Sequence, residues 1–388
     1  MPPRFALTAL MLGNFAIGIA VLAPAGMLLE LSNGLAVTLR DAGFLITAGA
    51  VVLCFGSPIS AWLTSRIDRR LLLVATLFVL AAGHLASAFA PDYFTLLVAR
   101  VLMLAVGALY TPQAAGTAAL IVPAARRAGA ISYVFLGWSL ATAVGVPIIS
   151  LLAAKVGWRE TYAVLAALGL IATVLLAIYL PSGLKGAPVS LATWGAVGRD
   201  RLIVLLLAIT AIHTSGQFAI ITYMSALLWK LAGAGAETTS LFFAIFGVAG
   251  FVGNVLATRI VGAIGAFKMS ALALGSVFAG LLIWVLGEGA LAVMGAGVLF
   301  WGLGFAAANS MQQARLAAAA PELASASIAL NTSGIYVGQA VGSYVGGFLI
   351  VRELFTAMGW TAVGFLVAAL VILVFTRDAA RAMRRREV

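Results

Sequence analysis

Twelve unbroken apolar runs, each about as long as a bilayer core is thick, constrain this chain more than any other feature. They cover residues 5–29, 42–63, 71–90, 93–121, 129–153, 160–180, 202–229, 239–258, 269–287, 290–314, 324–350 and 355–376. In lipid every backbone N–H and C=O must be satisfied internally, which only helices and closed barrels achieve. Barrel strands would read as segments of about ten residues with alternating polarity. Unbroken runs of this length predict helices, so the expected fold is an all-α membrane protein with twelve transmembrane helices. The first run follows Arg4 and contains Ala23-Pro24-Ala25, the outline of a cleavable leader. At about 25 residues it is long for a leader and suited to a span, so it is read as the first helix.

Charge distribution sets the expected orientation. Only 9% of residues are charged, against 63% hydrophobic, and mean hydropathy is +1.14. With the N-terminus inside, 17 of the 23 Lys and Arg fall on inner segments. These include Arg66, Arg69 and Arg70, Arg126 and Arg127, Lys185, Arg259, Arg315 and the basic tail. Arg40, Lys155, Arg159, Lys230 and Arg352 fall outside, and Arg100 alone lies within a span. Positive loops face the cytoplasm, so both termini are expected there, in an inner (plasma) membrane. The same bias accounts for the net charge of +11, and no nucleic-acid partner is expected. A single cysteine, Cys54, forms no intramolecular disulfide and has no companion ligands for zinc. No phosphate-binding Gly-x-x-x-x-Gly-Lys-Ser/Thr loop occurs, which excludes ATP-driven transport; no cofactor or metal is implied. The sequon Asn331-Thr332-Ser333 lies inside an apolar run and is discarded.

The longest polar interval, 181–201, contains Pro181, Gly183, Gly186, Pro188 and Gly198 and falls at the midpoint. Residues 1–180 and 202–376 then form two six-helix halves, with a basic cytoplasmic tail over 377–388. The halves echo each other. Leu63-Thr64-Ser65-Arg66-Ile67 returns as Leu256-Ala257-Thr258-Arg259-Ile260. Repetition at half length points to two pseudo-symmetric six-helix bundles.

Glycine and proline narrow the reading. The fifth run holds Gly137 and Gly145-Val146-Pro147, followed by Gly157-Trp158-Arg159. The eleventh holds Gly342 and Gly346-Gly347, followed by Gly359-Trp360. With the arginine loop Ala61–Arg70 and the midpoint linker, the whole chain resembles the major facilitator superfamily. Thr222-Tyr223-Met224, Phe246-Gly247-Val248-Ala249-Gly250 and Gly253-Asn254 are similar to the bacterial drug and sugar efflux branch, which includes arabinose-type and purine-nucleoside exporters. That resemblance implies alternating access, helices 1, 4, 7 and 10 around the cavity, and proton antiport associated with the helix-5 glycine–proline motif. It also implies gating roles for Arg66, Asp68, Arg69, Arg70, Arg259, Gly145 and Pro147. The family loop usually reads Gly-x-Leu-Ala-Asp-Arg-x-Gly-Arg-Arg. Here Ala61, Ser65 and Asp68 depart from it, and Val21 stands where many relatives carry an acid.

The intramembrane polar residues are the functional candidates. None of the twelve acids lies at mid-span, so no carboxylate relay crosses the core. His213, near the middle of the seventh run, has an intrinsic pKa close to neutrality and is a candidate for substrate binding or proton coupling. A neutral histidine bonded to a neighbouring helix is the equal alternative. His84 is read as structural. Arg100 matches a helix-4 arginine implicated in proton transfer in the family's exporters, and is the second proton-coupling candidate. Its alternative is a structural arginine satisfying carbonyls of helix 1 or 2. Asn14, Tyr110, Gln113, Gln217, Asn309, Gln312, Gln313 and Tyr336 complete the expected substrate-binding set. Amides and phenols have no reason to face lipid, and as a set they suit a neutral polar ligand. Trp138 and Trp301 are read first as packing residues.

The expected function is a monomeric secondary transporter, not an enzyme, exporting a small polar solute (a sugar, nucleoside or drug) with proton entry. A uniporter or exchanger without proton coupling is the alternative. A receptor on the same scaffold is the alternative of another class.

Overall fold

The computed structural model describes residues 3–64, 67–123, 126–185, 195, 197–320 and 323–384. They contain no strand. The helices of the N-terminal half are α1 (Pro3–Gly26), α2 (Leu28–Gly34), α3 (Leu39–Leu63), α4 (Arg69–Ala88), α5 (Tyr93–Gly107), α6 (Tyr110–Leu120), α7 (Arg127–Leu140), α8 (Val146–Val156) and α9 (Trp158–Tyr179). Those of the C-terminal half are α10 (Arg201–Ile221), α11 (Met224–Ala232), α12 (Ala236–Ile264), α13 (Ala266–Leu286), α14 (Leu291–Ala319), α15 (Ala324–Ile350) and α16 (Phe355–Arg384). Several spans are built from two consecutive helices: α5 with α6, α7 with α8, and α10 with α11.

Among the described residues, eleven helices are long and apolar enough to cross a membrane by length and composition. The twelfth, α15, has the length at 27 residues, but Asn331, Tyr336, Gln339 and its glycines dilute its hydropathy. Such a helix is stable in lipid only if that polar face is turned toward protein. It packs chiefly against α10.

Two breaks have a proline cause. Pro112 offers no N–H to the carbonyl of Ala108, and α5 gives way to α6 across Ala108 and Leu109. In the fifth span, Ala141–Gly145 form a π-helical turn directly before Pro147, and Val146 N–H reaches back to Ala141 O. A π turn lengthens the ladder by one residue where proline cannot complete it. The ends of α12 and α14 run past the expected limits of 258 and 314, so Arg259 and Arg315 lie within helices. Arg259 is exposed on its helix, whereas Arg315 is buried and bonded to Gln312 and Thr376.

The chain divides into two compact units, Met1–Val189 with Ala236–Ala244, and Ser190–Gly235 with Ile245–Val388. The interval 181–201, expected as the linker, contains this boundary. In the first unit α1 packs on α7 and α9, and α4 on α5 and α9. In the second, α10 packs on α15 and α16, and α13 on α14 and α16. Counted by span, these are the same four pairings, which is the repeat seen in the sequence. Close approach is set by glycine: a Cβ on Gly137 would meet the backbone of α1 at Met11 O and Phe15 N.

Candidate functional site

The intramembrane polar side chains gather into a cluster within each unit. In the first unit Asn14 is fully buried on α1. Its amide donates to Val134 O at 3.0 Å, and its Oδ1 accepts from Thr111 Oγ1 at 2.7 Å. Trp138 Nε1 donates to Thr111 Oγ1 at 3.4 Å. Tyr110 Oη donates to Leu10 O at 3.2 Å. This polar seam joins α1, α6 and α7, and it occupies both Asn14 and Tyr110 with helix contacts. Gln113 is buried one turn along α6, and its carbonyl accepts from Thr117 Oγ1.

Arg100, 1% exposed, reaches across to two helices. Nε donates to Leu45 O at 2.6 Å, Nη1 to Ala20 O at 2.9 Å and Nη2 to Val21 O at 2.8 Å. The reason lies in the sequence four residues beyond Ala20. Pro24 has no N–H, so the carbonyl of Ala20 loses its helical donor, and the guanidinium supplies one. Arg100 is therefore held by backbone acceptors of α1 and α3. Beside it His84 stacks on Tyr162 at 5.7 Å between ring centroids. Tyr162 Oη faces the Arg100 guanidinium, and among the described residues His84 Nδ1 is buried without a hydrogen-bond partner.

In the second unit α10 and α14 bring His213, Gln217 and Trp301 together. Trp301 Nε1 donates to Gln217 Oε1 at 2.8 Å. Gln217 Nε2 lies 2.8 Å from His213 Nδ1 and 3.2 Å from His213 O. All three residues are buried, and His213 Nε2 has no hydrogen-bond partner among the described residues. Phe246 packs edge-on to the indole at 5.0 Å between ring centroids, and Phe305 packs on Phe246 at 4.8 Å. Asn331 Oδ1 accepts from Thr210 Oγ1 at 2.6 Å, while Asn331 Nδ2, Gln339 Nε2 and Thr214 Oγ1 are unpartnered. Asn309 Nδ2 donates weakly to Phe305 O at 3.3 Å and its Oδ1 is unpartnered. Gln313 is half-buried and Tyr336 is buried.

Gln312 belongs to a separate knot further along α14. Its Nε2 donates to Leu206 O at 3.3 Å, and its Oε1 accepts from Ser270 at 3.3 Å and from Arg315 Nη1 at 3.1 Å. Arg315 also donates to Thr376 Oγ1 and stands over Phe267 at 5.3 Å. Sequence reasoning counted Arg315 on an inner segment, outside the apolar run. The i, i+3 spacing from Gln312 was the available signal for a shared helix face. Trp301 was likewise read as packing, although a buried indole N–H needs an acceptor.

The expected gating residues separate into two groups. Arg66 lies outside the described residues. Asp68 caps α4 by accepting from Leu71 N–H at 3.1 Å, and it accepts from Gly183 N–H at 2.5 Å. Arg69 N–H donates to Leu184 O at 2.9 Å, and Arg70 donates to Ala177 O. The loop between the second and third spans is thus tied to the end of α9 and the residues following it. Slight burial raises the Asp68 carboxyl, but backbone N–H groups of Leu71, Gly183, Arg70 and Leu184 outweigh it and hold it below its ordinary value. The lowered value means the ionised form stabilises the tie above the unfolded carboxyl's pKa, and the tie loosens as pH falls through the folded value. Asp68→Asn is expected to increase protease cleavage after Gly183 at neutral pH, and wild type is expected to match it only in acid. Identical cleavage of both at neutral pH would contradict the tie. Arg259 is exposed on α12. Gly145 ends the π turn, where a Cβ would press on Ile19 at 2.6 Å, and Pro147 opens α8.

The family model described as "Major Facilitator Superfamily" matches residues 8–333. The chain is 31% identical over 383 residues to "Uncharacterized MFS-type transporter YtbD" of Bacillus subtilis, covering 95% of this chain and 94% of that protein. It is 26% identical over 373 residues to "Probable sugar efflux transporter" of Pasteurella multocida, covering 94% and 90%. Among solved structures, a D-xylose-proton symporter shares the fold at a TM-score of 0.77 and 17% identity, over 95% of this chain and 97% of that one.

Proposed function

The chain belongs to the major facilitator superfamily, and on that premise we propose that it exports a small, neutral polar solute by alternating access. Sugars, nucleosides and uncharged drugs fit this class. The observation that carries the reading is the buried set of amide, phenol and indole groups on α10, α14 and α15 of the second unit. No acid of the sequence lies among them away from a helix end. Such a lining offers donors and acceptors to hydroxyls and carbonyls without a fixed charge to balance. The outward direction is supported by the sugar efflux name of the Pasteurella relative. The positive-inside bias supports an inner-membrane protein with both termini cytoplasmic.

Movement of the solute by uniport or exchange is favoured over proton antiport. Arg100 is engaged with three carbonyls, and His213 Nδ1 is engaged with Gln217. Proton antiport is the second reading. It is favoured by the glycine–proline segment of the fifth span, where the π turn Ala141–Gly145 meets Pro147.

Flux in proteoliposomes with and without an imposed pH gradient separates the two. Uniport or exchange predicts equal rates of L-arabinose or inosine movement in both. A several-fold acceleration by the gradient would establish antiport instead. Binding of these solutes with no flux under either condition would make the protein a receptor.

A further inference from the structure

The geometry of Gln217 fixes which nitrogen of His213 carries the proton. An indole N–H only donates and a backbone carbonyl only accepts. Trp301 Nε1 stands 2.8 Å from one end of the Gln217 amide, and His213 O stands 3.2 Å from the other. The amide oxygen must therefore face Trp301 and the amide nitrogen must face His213. That nitrogen has two hydrogens. One is directed to His213 O and the other to His213 Nδ1 at 2.8 Å. Nδ1 can share a hydrogen with a donor only if it is itself unprotonated. In neutral imidazole the proton then lies on Nε2. This Nε2–H is buried with no acceptor, on a side chain that is 0% exposed.

We propose that His213 is a specificity-determining residue, a neutral imidazole whose Nε2–H donates to an acceptor oxygen, hydroxyl or carbonyl, of the transported solute. The inference rests on the transport reading for the identity of the acceptor, but the tautomer does not depend on it. A second proton on the ring would place an N–H at Nδ1 directly against the N–H of Gln217. The amide cannot turn to relieve this without setting its nitrogen against the indole and its oxygen against the carbonyl. His213 is thereby unsuited to carry a proton across the membrane, and Gln217 and Trp301 are positioning residues that hold it as a donor. Solutes with an exposed acceptor at the right place gain a bond there, and analogues lacking that oxygen leave a buried donor unmade.

The test combines a spectroscopic and a functional arm. Full-length protein with 15N-labelled histidine in lipid gives imidazole resonances for His84 and His213, and the pair that vanishes in His213→Phe belongs to His213. The expected result at pH 7 is a neutral ring protonated at Nε2. A ring protonated at Nδ1, or at both nitrogens, overturns the proposal. Gln217→Glu replaces the donor facing Nδ1 by an acceptor and is expected to draw a proton to Nδ1. An unchanged ring in that variant also overturns it.

In proteoliposomes, His213→Gln places an amide N–H near the Nε2 position and is expected to keep L-arabinose or inosine flux within a few-fold of wild type. His213→Asn places it near Nδ1 and is expected to lose about tenfold or more, the scale of one unmade buried hydrogen bond. Whichever solute moves must also displace the Nε2 resonance when it saturates the wild type. A solute that is transported without displacing it shows that Nε2 faces a buried water only, which overturns the solute contact. Absence of flux for every solute would sink the transport reading, while the ring protonation still decides the tautomer.

Discussion

Arg100→Met is expected to destabilise the N-terminal half by about 2–4 kcal/mol, because each buried polar group left without a partner costs about 1–3 kcal/mol. The largest share comes from Ala20. Its carbonyl has no helical donor because Pro24 stands four residues later, and no water is at hand within lipid. Arg100→Lys is expected to recover only part of the loss, since an ammonium cannot span the three acceptors that the planar guanidinium reaches. The decisive variant is Pro24→Ala in the Arg100→Met background. Alanine restores an N–H for Ala20 O, so the double variant should regain stability relative to Arg100→Met alone. Thermal or denaturant unfolding in detergent would read this as a coupling between positions 24 and 100. Additive losses would show that the arginine does not serve the proline gap. A stable Arg100→Met with lost flux would show that the side chain serves the solute instead.

Gly342→Leu is expected to abolish correct folding. Gly342 lies on α15 where it crosses α10, and even a Cβ there would press into Ser215 O and sit 2.9 Å from Ala219 N. These are backbone atoms of a helix and cannot turn aside as a side-chain tip would. Overpacking typically costs about 1–3 kcal/mol, and a clash with backbone belongs at or above the top of that range. The displaced helix carries His213 and Gln217, so residual folded protein should also lose flux. Expression in membranes and monodispersity after extraction would measure the effect. Wild-type yield and flux would contradict the close crossing.

Much of the fold was legible in the sequence because lipid leaves few options. Runs of apolar residues long enough to cross the bilayer must be helical, and the half-length echo of Leu63–Ile67 at Leu256–Ile260 carried the duplication. Helix ends were less legible. Hydropathy stops at the apolar boundary, whereas α14 continues to Ala319 and takes Arg315 into a buried knot with Gln312 and Thr376. The i, i+4 spacing placed His213 and Gln217 on one helix face, and they are hydrogen-bonded. The third member, Trp301, comes from a different helix 84 positions away, a separation to which no local period is sensitive. For Arg100 the sequence left two readings, proton coupling or carbonyls of helix 1 or 2, and the acceptors Ala20, Val21 and Leu45 lie on those two spans. The sequence held Pro24 and Arg100, but only the reach of the guanidinium from α5 to the carbonyls of α1 and α3 shows that one answers the other.

Single-cysteine accessibility tests the central claim most directly. In a Cys54→Ser background, Asn309→Cys is placed on the half-buried face of α14, beside the polar cluster. A membrane-impermeant maleimide is applied from the cytoplasmic or the external side of sealed vesicles. Alternating access predicts labelling from both sides, with the ratio of the two rates shifted by a saturating neutral solute. Labelling from one side only, unmoved by any solute, would contradict it.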